Sequence, residues 1–293
     1  FGSSFGSIWV YVARTNRMAI GAAYRIVQTL PSRTSFRPRA TCATRTLFMA
    51  VGSIRCVVFD LDDTLWGATD SLDNAHNTMI SRLEELDPAG ANKCRDRGVF
   101  LEEMRKLKGE HPDRQHDFNF LRTTATARLI GNEEVALEAF AAWLSARNSP
   151  ELFPGALDAL RSLKQRGLLI GTLTDGNADA AKVPGLGEVL DFTVNAVEAG
   201  KPKPEAPAFS LCQLKAGCQP SEMVMVGDSA EKDVAGAKNA GWRAIWVRPP
   251  ERGVAGSVYD VSDGKPGHHG FESADAVVDH VSEVEGILNG WAA

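Results

Sequence analysis

The chain has 293 residues, 44% of them hydrophobic and 24% charged, which suits one substantial core with a smaller second unit and excludes disordered and collagen-like classes. No apolar run reaches the ~18–20 residues that cross a bilayer. The net charge is −5, yet no Asp or Glu precedes Asp60 while seven arginines precede Met49, so the remainder carries −12 once those seven are set aside, a charge that repels nucleic acid and anionic membranes.

Residues 1–48 are rich in Arg, Ser and Thr and contain no acid, the composition of a transit peptide for a chloroplast or mitochondrion. The alternative reading places the start of a cytoplasmic protein at Met49. Arg55 to Phe59 is a short β-branched run and predicts a buried strand. Residues 71–149 then switch to helical spacing. Met79, Leu83 and Leu86 mark one helix, and Phe100, Met104 and Leu107 a second. Phe118, Leu121 and Leu129 mark a third, and Val135 to Trp143 a fourth. This stretch reads as a small helical domain inserted between residues 49–70 and 150–293.

From Phe153 onward strands and helices alternate. Strands are predicted at Leu168–Leu173, Phe192–Val194, Met223–Val226, Arg243–Val247 and Ala276–Val278. Helices are predicted at Ala156–Arg166, Pro207–Lys215, Lys232–Ala240 and Val281–Leu288. Such alternation predicts an α/β fold, a doubly wound and mostly parallel sheet with helices on both faces. Residues 249–272 read as a surface loop, and its His268 and His269 lack metal-ligand partners. Five cysteines (Cys42, Cys56, Cys94, Cys212, Cys218), widely spaced and with no C-x-x-C pair, fit reduced thiols better than a disulfide framework or a zinc site.

In an open parallel sheet, ligands bind at the carboxyl ends of the strands. Asp60-Leu61-Asp62-Asp63-Thr64 follows the first strand, and Thr174-Asp175-Gly176-Asn177 the second. Lys201-Pro202-Lys203-Pro204 comes after the third, and Gly227-Asp228-Ser229, with Asp233 a turn later, after the fourth. Taken singly, these are ordinary caps and turns. In order, each beyond a predicted strand, they bring carboxylates, a hydroxyl and an ammonium to one edge.

F-D-L-D-D-T-L, L-T-D-G-N, K-P-K-P and V-G-D-S-A-E-K-D resemble the four motifs of the haloacid dehalogenase superfamily over about residues 54–290, with the helical insert where its type-1 cap belongs. The resemblance implies a Rossmann-like core and a magnesium-dependent phosphatase. Asp60 would be the nucleophile and Asp62 the acid/base. Thr174 and Lys201 would hold phosphoryl oxygens, with Asp175, in place of the motif's usual asparagine, beside them. Mg2+ would be held by Asp60, the main-chain carbonyl of Asp62 and Asp228, with Asp233 in support. Two carboxylates so close imply a raised pKa for the one not bound to metal. Asp63 would cap the following turn. Dehalogenases of the family lack an acid two residues after the nucleophile, and Asp62 is such an acid.

Further stretches are similar to bacterial flavin mononucleotide phosphatases, which also dephosphorylate a ribityl-aminouracil phosphate of riboflavin synthesis. These are T-D-G-N-A with G-L-G, I-W-V-R-P after the last motif, and H-D-F-N-F-L-R in the insert. A small phosphorylated metabolite is therefore the expected partner. The alternatives are a sugar-phosphate or phosphoglycolate phosphatase, and a catalytically silent binding protein with the same fold. Arg122 in the insert is a candidate substrate contact, against the plainer reading of a solvated helix arginine. Trp66 either lines the pocket or is a buried hinge aromatic.

Overall fold

A computed structural model describes residues 53–248 and 271–292. The basic head lies outside the described residues, as do His268, His269 and nearly all of the predicted 249–272 loop.

The first strand, β1 (Cys56–Phe59), is buried along its whole length, as a strand covered on both faces must be. Five helices follow before the second strand. They are α1 (Ala68–Leu86), α2 (Pro88–Arg95), α3 (Arg97–Glu110), α4 (Phe118–Ile130) and α5 (Glu133–Arg147). Four begin at side-chain caps: Asp87, Asp96, Asp117 and Asn132 each accept a main-chain N–H in the first turn. Helix α4 stops at Gly131, whose φ of 79° is left-handed. The helix α2 is absent from the expectation because its eight residues bury only Gly90, Ala91 and Cys94, too few to show a period. Met79, Leu83, Phe100, Met104, Leu107, Leu121 and Trp143 share one apolar cluster of their own, separate from the sheet.

The remaining elements are α6 (Ala156–Gln165), β2 (Leu169–Thr174), β3 (Phe192–Asn195), α7 (Ala196–Ala199), α8 (Ala206–Ala216) and β4 (Met223–Gly227), then α9 (Gly236–Asn239), β5 (Arg243–Val247), β6 (Ala276–Val278) and α10 (Val284–Ala292). The six strands form one parallel sheet in the order β3-β2-β1-β4-β5-β6. Two apolar clusters cover its faces, one with α6 and α10 and the other with α8 and α9. The order places β1 at the centre, so its end, the switch point of the sheet, is flanked by the ends of β2 and β4.

One expected helix is different. In place of Lys232–Ala240, a π-helical turn spans Ala230–Ala235 and α9 is four residues long. Widened turns of this kind recur at functional sites. Among the described residues no helix is long and apolar enough to cross a membrane. The four described cysteines are buried free thiols.

Candidate active site

Asp60 follows β1 directly, and its main-chain N–H donates to the Val226 carbonyl of β4 at 2.9 Å. The carboxylate is thereby fixed between two strands. Lys203 meets it from the loop between α7 and α8: Nζ donates to Asp60 Oδ1 at 2.5 Å and to Asp233 Oδ1 at 2.7 Å, and the lysine side chain is 2% exposed. The second oxygen of Asp233 accepts the Ser229 N–H at 3.0 Å. Asp233 fits there because Gly227 has no side chain; a Cβ on Gly227 would stand 2.3 Å from Asp233 Oδ2. Asp228 follows β4 directly, its carbonyl accepting the Trp246 indole N–H at 2.7 Å. Carboxylate oxygens of Asp60, Asp228 and Asp233 fall within 4.8 Å of one another.

Three carboxylates thus face one ammonium. Burial pushes Asp60 up to about 7; Lys203 pulls it down, and Asp233 adds to the rise, with Asp62 only a minor contributor. Burial, then Asp60 and Asp233, lift Asp228 well above the usual carboxylate range. Burial works against the Lys203 ammonium, but Asp233 and Asp60 outweigh it and hold the proton firmly. The cluster is short of positive charge. Hard oxygen donors in this arrangement fit a divalent cation such as Mg2+. Since both Asp233 oxygens are already engaged, Asp60 and Asp228 are the carboxylates with oxygens left to offer a metal.

Lys201 is corrected by the structure. It is exposed, whereas Lys203 is buried against Asp60. Two lysines two residues apart both satisfied the K-P-K-P pattern. The difference lies in the main chain: Asp175 Oδ1 accepts the Lys203 N–H at 2.8 Å, which turns that residue inward. Asp175 therefore spends one oxygen on the lysine loop, and its other lies 3.8 Å from Lys232. Thr174 is buried at the end of β2 and its Oγ accepts the Gly176 N–H at 2.9 Å, leaving its own hydrogen to donate.

Asp62 meets a partner that sequence reasoning missed. Arg147, the last residue of α5 and 1% exposed, places Nη2 at 2.7 and 2.5 Å from the two Asp62 oxygens, and Nη1 at 2.7 Å from Ser71 Oγ. The Trp66 indole N–H donates to Asp62 Oδ1 at 2.9 Å, and Trp66 is fully buried. Trp66 is a buried aromatic and does not line the cavity beside Thr174. An arginine at a helix end reads in sequence as a favourable charge on the dipole, so nothing in the spacing singled out Arg147. Asp63 Oδ1 accepts the Ala68 N–H at 3.0 Å and so caps α1.

Arg122 is neither solvated nor on the wall of the cavity beside Thr174; it is 5% exposed, with its guanidinium 4.4 Å from the Trp143 ring centre. Cations do gather above the sheet edge. Burial holds Lys108 of α3 below the usual lysine range, and Lys232 of the π turn and Arg122 push it the same way.

A parallel sheet with an aspartate pair after its central strand, a buried lysine and acids after β4 is an arrangement suited to a hydrolase. Residues 54–241 match the haloacid dehalogenase-like hydrolase family, and this chain belongs to it. Relatives named as phosphatases make it a phosphoric monoester hydrolase of that family. It is 27% identical over 214 residues to the 5-amino-6-(5-phospho-D-ribitylamino)uracil phosphatase YigB of Escherichia coli, covering 69% of this chain and 87% of the relative. It is 30% identical over 206 residues to phosphoglycolate phosphatase 1 of Pseudomonas aeruginosa, covering 67% and 70%. A 2-haloacid dehalogenase structure from Pseudomonas syringae pv. Tomato superposes with a TM-score of 0.66 at 28% identity, covering 81% of this chain and 99% of the other.

Proposed function

We propose that the chain hydrolyses a small phosphate monoester with Mg2+ through an aspartyl-phosphate on Asp60, and that its substrate is flavin mononucleotide or a ribityl-aminouracil phosphate. The observation that carries the reaction is the grouping of Asp60, Asp228 and Asp233 at the carboxyl end of the sheet, with Lys203 bonded to Asp60 and Asp233. The likeness to YigB supports the substrate.

An Asp60 oxygen bonds to phosphorus as the bond to the leaving oxygen breaks, and Asp62 gives that oxygen its proton. Water then attacks the same phosphorus, returns a proton to Asp62 and frees the Asp60 carboxylate. Lys203 and the Thr174 hydroxyl neutralise and orient the phosphoryl oxygens. A bound Mg2+ supplies the remaining positive charge at Asp60 and Asp228. Trp66 and Arg147 fix the orientation of the Asp62 carboxylate. Lys108 and Lys232, close enough to repel each other, add positive charge that favours the approach of a phosphate dianion. The five helices act as the cap of this site.

Purified protein is expected to hydrolyse p-nitrophenyl phosphate with Mg2+ and to stop when EDTA removes it. Asp60→Asn is expected to lower kcat by about 10⁴-fold or more. Activity retained in that variant would remove Asp60 from its role.

A further inference from the structure

Gly176, in the turn after β2, sits where three groups of the site meet. A Cβ there would stand 3.1 Å from Asp62 Oδ2, 3.3 Å from Thr174 Oγ and 3.5 Å from Arg147 Nη2. Its N–H also donates to Thr174 Oγ at 2.9 Å. The turn from Thr174 to Asp179 therefore touches both the Thr174 hydroxyl and the Asp62 carboxylate, and a shift of the turn would move one against the other.

Two asparagines of the helical insertion hold this turn. Asn119, at the start of α4, accepts from Asn177 Nδ2 at 2.7 Å. Asn148, just past α5, accepts the Asp179 N–H on Oδ1 at 2.8 Å. The Asn119 bond is exposed and competes with water, so it contributes little. Asn148 is buried, and a buried amide left without its partner is costly, which makes it the firm anchor. The main chain does not explain an asparagine at this position. It leaves α5 at φ −88° and ψ 11°, so no left-handed cap calls for one. What the position uses is the side-chain oxygen. Arg147 and Asn148 are also consecutive. One helix end thus reaches Asp62 with the first residue and the turn carrying Thr174 with the second.

We propose that Asn148 is a positioning residue of the reaction: with Arg147 it makes the end of α5 a two-point clamp that sets the Thr174 hydroxyl and the Asp62 carboxylate relative to each other. The inference rests on the phosphatase reading and adds to it a residue outside the strand ends. Asn148 acts through the Asp179 N–H and the turn, and its loss is felt as misalignment of the hydroxyl against the acid. Alignment of that kind counts in the transition state more than in binding, so kcat is the parameter that should move.

The test measures kcat and KM for p-nitrophenyl phosphate with Mg2+ in wild type, Asn148→Leu and Asn148→Asp, and again with Thr174→Val added to each, alongside thermal melts. Asn148→Leu is expected to lower kcat by about 10-fold while KM moves by about 3-fold or less. Asn148→Asp keeps an oxygen for the Asp179 N–H and should recover most of that loss. With the Thr174 hydroxyl already gone, Asn148→Leu should cost only about 2-fold, since the group it aligns is absent. Should Asn148→Leu fail to fold, Asn148→Ser, too short to reach Asp179, is held to the same outcomes. An equal loss with and without the Thr174 hydroxyl, no recovery in Asn148→Asp, or an unmoved kcat overturns the inference and leaves the phosphatase reading standing. No hydrolysis by wild type overturns both.

Discussion

The end of the sheet and the helices above it handle charge in opposite ways. At the sheet edge three acids gather beside one buried lysine, more carboxylates than its single charge can neutralise. In the helical insertion most charges are surface pairs, such as Arg82 with Glu85 and Glu138 and Arg128 with Glu110, and the core is apolar. Surface pairs contribute little to stability, while an unbalanced buried cluster is costly unless something binds there. The contrast separates a sheet edge crowded with acids from a helical region whose charges sit at the surface. Arg147 links the two, since it belongs to a helix of the insertion but spends its charge on Asp62.

The largest effect is expected from exchanging the two lysines. Lys203→Met leaves Asp60 and Asp233 buried without their counter-charge, which costs about 3–5 kcal/mol of stability and should lower kcat by about 10³-fold. Lys201→Met should stay within about 0.5 kcal/mol and a few-fold in kcat. Denaturant melts and steady-state rates on the pair would reverse the lysine assignment if Lys201 proved the sensitive one.

Next in size is Arg147. Arg147→Met is expected to lower kcat by about 10²-fold with a smaller change in KM and a displaced pH profile, because the acid loses its orientation. Arg147→Lys should not restore it, since one ammonium cannot reproduce two separate N–H directions. An unchanged pH profile would mean Arg147 only packs.

The two regions should also answer pH with opposite signs. His76 of α1, 2% exposed, is lowered to about 4, first by burial and then by Arg97 and Arg122. Between its unfolded value near 6.5 and about 4 the unfolded chain binds more protons, so stability falls as pH falls through that window, by on the order of 3 kcal/mol. His76→Phe should flatten that limb in acid melts. Asp60 runs the other way. Its folded value is raised, so without metal its contribution is present in acid and lost as pH rises through about 7. Mg2+ relieves that loss, and its stabilising shift in Tm should therefore grow between about pH 5 and pH 8. A shift independent of pH would contradict the cluster as the metal site.

Much of the fold was legible because parallel strands are continuous apolar runs; Arg243–Val247 and Ala276–Val278 appear with the bounds their residues suggest. Asp60, Asp62 and Asp228 follow strand ends as the spacing indicates, and Thr174 is the last residue of its strand, since the sheet fixes where each strand stops. What failed to show depends on contacts between distant segments. The choice of Lys203 over Lys201 turns on one hydrogen bond that its N–H donates to Asp175, and the grip on Asp62 comes from 85 residues away. The π turn around Asp233 has no periodic signature at six residues.

The central claim is that Asp60 takes the phosphoryl group while Mg2+ is held beside it. Fluorine NMR of the protein with Mg2+ and beryllofluoride, a phosphoryl mimic, tests it most directly. Protein-bound fluorine resonances should appear with Mg2+, vanish with EDTA and be absent in Asp60→Asn. Their absence from wild type with Mg2+ present, or their survival in Asp60→Asn, would contradict the account.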